Sequence, residues 1–381
     1  MSPIAALLTV CALANAVLAQ DSCTVTSYDQ VANALSICTT LSIGDITVPA
    51  NETLDLNLKS GASLSLTGTI KFGFAEWKGP LVIIKGNKVT VTQSASKYIL
   101  FGGGGVIRAT KNLADSVFDG EGAQYWDGQG DKGKVKPKFV RVQTTGGSVL
   151  NGINLLNCPH QCVSINGADS TTLQNWTLDV SAGDEGDLGH NTDGFDISSS
   201  TNIIIDTATV KNQDDCVAVN QGSNIHLTGL TCSGGHGLSL SVGQNSGSDN
   251  TVSNVTFVDS SVSNSRNGIH VKTHTDGGTG FIKNVTYRNI QMTGITRFII
   301  NIQEDYAGGG STGIPKNNIP ITGLDISEIT ATTSGSDCVP VFILCATDGG
   351  CSDWTWGQIS YSGASNPNNC TNFTPSGFDC S

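Results

Sequence analysis

The sequence predicts an all-β solenoid, a single β-helix with one short helix capping its N-terminal end. Three observations lead there. Forty-six of the 381 residues are glycine and only 14% are charged, while Ser, Thr, Asn and Val recur throughout, a composition suited to short strands joined by tight turns. Alternating runs such as LDLNL, SLSLTG, KVTVT, HLTGL and HVKT recur along the chain at intervals of about twenty to thirty residues. Such a period marks repeats that bury their apolar faces only by stacking on one another. No Pro-rich, Ser-rich or charged linker divides the chain, so residues 20–381 read as one domain.

The opening, MSPIAALLTVCALANAVLAQ, is an apolar run of signal-peptide length that ends in small residues but lacks Lys and Arg at its start. Cleavage is expected after Ala19, giving a signal peptide over residues 1–19 and a secreted protein. No later stretch holds eighteen apolar residues in a row, so a soluble mature chain is expected. Twelve cysteines fit an oxidising compartment. Loss of Cys11 with the leader makes the number odd, so at least one stays outside an internal pair. Ser27 and Gln30 have capping-box spacing, and Val31, Ala34, Leu35 and Cys38 follow at helical intervals, which predicts the helix. A net charge of −12 disfavours nucleic acid and anionic membranes as partners. An acidic substrate would need a local basic patch.

The repeat has a readable register. Asn202 and Asn224 occur in matching Ser-containing contexts 22 residues apart, and Asn254-Val-Thr and Asn284-Val-Thr are 30 apart. Residues 210–220 read VKNQDDCVAVN, a strand-like run with Asp214 and Asp215 side by side in it. Like charges and Asp are both disfavoured in a strand. A step of 22 back from Asp215 reaches Asp193, and 21 forward reaches His236. Coils of a parallel stack lie about 4.8 Å apart, so Asp193, Asp215 and His236 should form a column on an outer face, with Asp214 beside it. Both aspartates can face solvent only at a strand edge or a bend. The next strand of this type, NGIHVKT, brings His270 and Lys272.

Three carboxylates, without a hydride-cofactor motif or a thiol–His pair, suit hydrolysis of a glycosidic bond. Such chemistry needs one protonated and one ionised carboxyl, and crowding provides both states through mutual repulsion. His236 would hold a proton or tune the acid.

The segments HNTDGFD, NQDDCVAVN, GGHGLS and NGxxxKT, in that order, resemble the fungal polygalacturonases of glycoside hydrolase family 28. FAEWKGPL, YWDGQGDKGKVKPKF and CSDWTW carry the resemblance along nearly the whole mature chain. It implies a right-handed parallel β-helix that hydrolyses α-1,4 bonds of de-esterified pectin with inversion, as a monomer and without cofactor or metal. Asp214 would be the general acid, Asp193 and Asp215 would position and activate water, and His236 would sit beside the acid. Asn191, Lys272 and Tyr306 match substrate-contacting positions, with His270 standing where the family usually has Arg. Endo action is expected. Exo action, a rhamnogalacturonan substrate, a calcium-dependent lyase and a catalytically silent pectin binder are the rivals.

With a reference pKa of about 6.5, His270 is expected to be a cation in acid that loses its charge towards neutrality. The resemblance and short spacings also imply disulfides Cys23–Cys38, Cys216–Cys232, Cys345–Cys351 and Cys370–Cys380. Cys158, Cys162 and Cys338 remain, with a free thiol among them. His160 reads as structural rather than as a zinc ligand, and Trp354 and Trp356 as packing in the last coil. Asn51, Asn175, Asn254, Asn284 and Asn372 lie in sequons that permit glycosylation. Residues 97–115 are additional to the family pattern, and a surface loop and a retained intron are both open as readings.

Overall fold

The computed structural model of the chain describes residues 23–93, 116–335 and 337–380. The signal-peptide assignment and the additional segment 97–115 lie outside the described residues. The chain winds as a right-handed parallel β-helix. Among the described residues, one sheet has seventeen strands and the other twelve. Every pairing between coils is parallel, and Tyr306 with Ser311 opens a small antiparallel hairpin. Early coils present the larger sheet as two short strands, as in Thr40–Ile43 and Ile46–Val48. Later coils fuse these into one bent strand such as Ser200–Lys211, where Thr207 turns the corner at φ 59°.

The asparagine register reads true. Ile203 pairs with Ile225, Ile225 with Val255 and Val255 with Val285, which stacks Asn202, Asn224, Asn254 and Asn284. All four adopt φ 55°. Asn tolerates this left-handed conformation better than most residues, which explains its choice at the corner. Each side-chain amide donates to the carbonyl of the Asn one coil before it at 3.1 Å, from Asn224 through Asn284.

Alternation places Val, Ile, Leu and Phe inside. Phe195, Val217, Leu238, Ile269 and Ile300 stack in register and are fully buried. Burying one such side chain contributes about 1.5–3 kcal/mol, and the stack repeats this on every coil. Trp354 and Trp356 lie stacked at the last coil, with indole N–H groups donating to the Ile321 and Leu324 carbonyls.

The N-terminal helix spans Val31–Ile37 after a 3₁₀ turn at Tyr28–Gln30. Its expected capping box does not form. Ser27 makes no side-chain cap, and the Gln30 Oε1 accepts from the Thr26 amide at 2.9 Å instead. The intervening 3₁₀ turn shifts the helix start past the position that Ser27 could cap.

The four expected disulfides are present, and Cys158–Cys162 adds a fifth. Cys338 is the free, buried thiol among the described residues. Denatured but unreduced mature protein should therefore titrate one thiol per chain, and a titre of zero or two would contradict this pairing.

Flanking coils pass the junction around residues 94–116 in two residues, 67–68 before it and 152–153 after it. Strands Thr90–Gln93 and Val117–Asp119 keep the register of both neighbours. The stack therefore runs unbroken across the segment.

Candidate active site

The smaller sheet carries the site. Successive coils supply Phe195–Ser198, Val217–Val219, Leu238–Val242, Asn267–His274 and Phe298–Ala307. Asp214 and Asp215 are not in mid-strand. The preceding strand ends at Lys211 and the next begins at Val217, so the pair occupies the corner between them. Asn212 fastens that corner: its buried amide donates to the carbonyls of Thr192, Asp214 and Asp215 at 2.9–3.0 Å. Gln213 braces it from outside, donating to the Val180 carbonyl and to Asp184.

The backbone column agrees with the repeat. Gly194 N–H donates to the Asp215 carbonyl, and His236 N–H to that of Asp214. The side chains, however, divide into two pairs. Asp214 Oδ1 accepts from the Asp215 amide at 2.8 Å and lies 3.0 Å from His236 Nδ1, while its Oδ2 accepts from Asn191 Nδ2 at 3.2 Å. Asp215 is only 2% exposed. Its Oδ2 accepts from Lys272 Nζ at 2.9 Å and its Oδ1 from Ser239 Oγ at 2.7 Å.

Electrostatics follow from these contacts. Burial alone would raise the Asp214 carboxyl, but the His236 hydrogen bond and charge, with Lys272 and the Asp215 amide, bring it down to about 2. Burial lowers His236, yet the carboxylates of Asp214 and Asp215 outweigh it and lift the imidazole above its usual value. Asp193 is pushed well up, first by burial and then by Asp214, Asp196 and Asp215. Lys272 stays a cation because Asp215 overcomes its desolvation. In the resting site Asp214 is thus ionised and the proton beside it sits on His236.

Asn191 carries φ 53°, and its Oδ1 accepts from the Asp131 amide at 3.0 Å, tying the 127–136 loop to Asp214. Tyr306 pairs in register with His274, and Lys272 Nζ lies 5.1 Å from the centre of its ring. His270 corrects the sequence reading. It is 8% exposed, its Nε2 is buried without a partner, and burial with the nearby cations Lys272, His236 and Arg266 drives its pKa well below the ordinary value. These surroundings favour the neutral imidazole and oppose the pH-dependent cation expected of it.

Sequence reasoning missed Asp196 and Ser239. Asp196 lies between the core residues Phe195 and Ile197, so it faces outward into the site. Burial, with Asp215 and Asp214, raises it to about 7 against the opposing pull of Lys138. The signal existed: Asp196, Ala218, Ser239 and His270 share one file of the register.

One donor atom each from Asp214, Asp215 and His236 lie within 4.8 Å of one another, a set able to hold an ion. Lys272 and Ser239 already engage both oxygens of Asp215, so an ammonium stands where a metal would compete. The second cluster, Glu304 with Cys345 and Cys351, has its sulfurs tied in a disulfide.

A β-helix with aspartates clustered on one outer face, one of them paired with His and one with Lys, defines a carboxylate-based hydrolase of polysaccharides. Comparison with known proteins narrows the class. Residues 38–380 match the model of glycosyl hydrolases family 28, and the chain belongs to that family. A polygalacturonase of Phaedon cochleariae is 45% identical over 367 residues, covering 95% of this chain and 94% of that one. Endopolygalacturonase I of Aspergillus niger is 45% identical over 363 residues, covering 94% and 91%. Among solved structures, endopolygalacturonase I from Stereum purpureum complexed with two galacturonates superposes with a TM-score of 0.74 at 31% identity, over 90% of this chain and 95% of that one.

Proposed function

We infer that the chain is an endo-acting polygalacturonase, a glycoside hydrolase that cuts α-1,4-galacturonosidic bonds within de-esterified pectin. The observation that carries this reading is the Asp214–His236 pair facing the Asp215–Lys272 pair in a family 28 chain.

In the proposed mechanism the glycosidic oxygen receives its proton from Asp214. That carboxylate is ionised at rest, so the proton is held jointly by Asp214 and His236 and moves onto the carboxyl as the leaving oxygen approaches. Asn191 orients Asp214 through Oδ2. Asp193 and Asp215 hold the attacking water. Two-carboxylate inverting enzymes separate their carboxyls by about 6.5–9.5 Å. Asp214 and Asp215 approach more closely than that, so their spacing does not itself argue for inversion. Inversion is part of the proposal because the resemblance to family 28 implies it. Lys272 fixes Asp215, and with Tyr306 it borders the substrate cleft.

Secretion, a monomeric state and freedom from nucleic acid and membranes belong to the same proposal. Five disulfides support the extracellular setting.

Purified protein with polygalacturonate should lose viscosity well before reducing ends accumulate, and chromatography should show intermediate oligomers early. Galacturonate monomer as the sole early product would replace endo with exo action. Unsaturated product ends would indicate a lyase instead. NMR of the first-formed reducing end should show the β anomer, and an α anomer would overturn inversion.

A further inference from the structure

The site is poor in free positive charge for an enzyme whose substrate is a polyanion. Lys272 is 7% exposed and its charge is engaged by Asp215, and His270 is buried with its Nε2 unpartnered, which disfavours a charge there. The row that begins at Asp214 continues along the helix axis. The Asp214 carbonyl accepts from His236 N–H, the Gly235 carbonyl from Arg266 N–H, and the Arg266 carbonyl from Arg297 N–H, at 2.8, 2.8 and 2.9 Å. Arg266 therefore enters its coil next to the turn that holds His236, and Asn267 after it donates to the His236 carbonyl. Both arginines are exposed. Neither forms a salt bridge among the described residues, and the Arg297 guanidinium lies against the Phe298 ring. The charge of Arg266 reaches both His270 and Tyr306.

We propose that Arg266 is the carboxylate-binding cation on the C-terminal side of the scissile position, with Arg297 one coil beyond it. Together they would form a short cationic rail for consecutive galacturonate units. Four residues before His270, Arg266 supplies the guanidinium that position 270 lacks. Coils spaced about 4.8 Å apart suit a polymer that carries one carboxylate per sugar. An exposed, unpaired guanidinium can grip a carboxylate with two parallel hydrogen bonds, which a buried imidazole cannot. This inference rests on the polygalacturonase reading above.

The test is the series Arg266→Lys, Arg266→Gln and Arg266→Glu, assayed on polygalacturonate at two ionic strengths. KM should rise in that order. The Gln variant should show about a ten- to hundredfold increase, the size of a lost charge-assisted hydrogen bond, with kcat within about threefold of wild type. The salt dependence of KM should flatten in the Gln variant, a change that a purely structural role would not produce. An unchanged KM across the series, or a fall in kcat that tracks a lowered Tm, would overturn the proposal. Should wild-type protein fail to hydrolyse the polymer, the functional reading itself falls. Affinity electrophoresis in polygalacturonate gels would then still rank the variants: retardation lost from Lys to Glu supports the rail, and equal retardation refutes it.

Discussion

Asp214→Asn should lower kcat on polygalacturonate by about 10²–10⁴-fold, the usual worth of a positioned general acid, while KM stays within about threefold. Asn fills the same space, and its carbonyl can still accept from the Asp215 amide and face His236, so the corner held by Asn212 keeps its shape. What disappears is the oxygen that carries a proton to the leaving group. A second readout comes from His236, whose raised pKa depends chiefly on Asp214 among the groups that raise it. In Asp214→Asn that imidazole should titrate at lower pH by NMR. His236→Gln should behave differently. Asp214 would lose the partner that depresses it, and the proton would leave the site at the carboxyl's own pKa. Loss of rate should then be small in acid and grow towards neutrality, which moves the alkaline limb of the kcat profile down in pH. Near-wild-type turnover in Asp214→Asn would sink the acid assignment. A pH-independent deficit in His236→Gln would sink the shared proton.

The parts of this arrangement that follow from local repetition were legible in the sequence. Asn202, Asn224, Asn254 and Asn284 fix the coil length because each must occupy the same left-handed corner, and the same step brings Asp193, Asp215 and His236 into line. The doublet Asp214–Asp215 announced a corner because a strand cannot direct two neighbours to one face. Side-chain partners were harder to read. Asp215 and Lys272 are 57 residues apart, and nothing local says that the ammonium reaches Oδ2 rather than a substrate. The same holds for His270. Its identity suggested a titrating cation, but its state is set by burial and by Lys272, His236 and Arg266, which come from two coils. Asp196 is not legible in the repeat because the 22-residue step picks out residues that recur as acids, whereas its register partners are Ser164 and Ala218. Charge state in a solenoid depends on what adjacent coils stack above and below, and periodicity gives the positions without the consequences.

Glu304 should make stability fall as pH rises from about 4.5 to 7, against the opposite contribution of the buried His270, and Glu304→Gln should remove that fall. Glu304 lies on the strand Phe298–Ala307 two residues after the core residue Ile302, and it is fully buried. Its Oε2 accepts from the Ala346 amide at 2.7 Å, and Cys351 Sγ of the Cys345–Cys351 disulfide lies 3.7 Å from the same oxygen. Oε1 is buried without a partner. A Cβ at position 350 would fall 1.9 Å from Oε2, so glycine there makes room for the carboxyl. Burial, helped by Asp348 and opposed by the Ala346 hydrogen bond, raises Glu304 to about 7. Between its unfolded value and 7 the folded state binds a proton that the unfolded chain has released. Its contribution is therefore fully present in acid and is lost with rising pH. From 4.5 to about 7 the loss is roughly 3 kcal/mol at about 1.4 kcal/mol per unit. Asp196 adds a loss of the same sign over a similar window. At an unfolding entropy of about 2.1 cal/mol/K per residue, the Glu304 share amounts to about 4 °C in Tm for a chain of this size. Gln cannot ionise, so Glu304→Gln should melt above wild type at pH 7 and at or below it at pH 4.5. Differential scanning calorimetry at four pH values between 4 and 7 checks this. Parallel wild-type and Glu304→Gln curves would mean that Glu304 is ionised throughout and that its burial in the last coils is satisfied some other way.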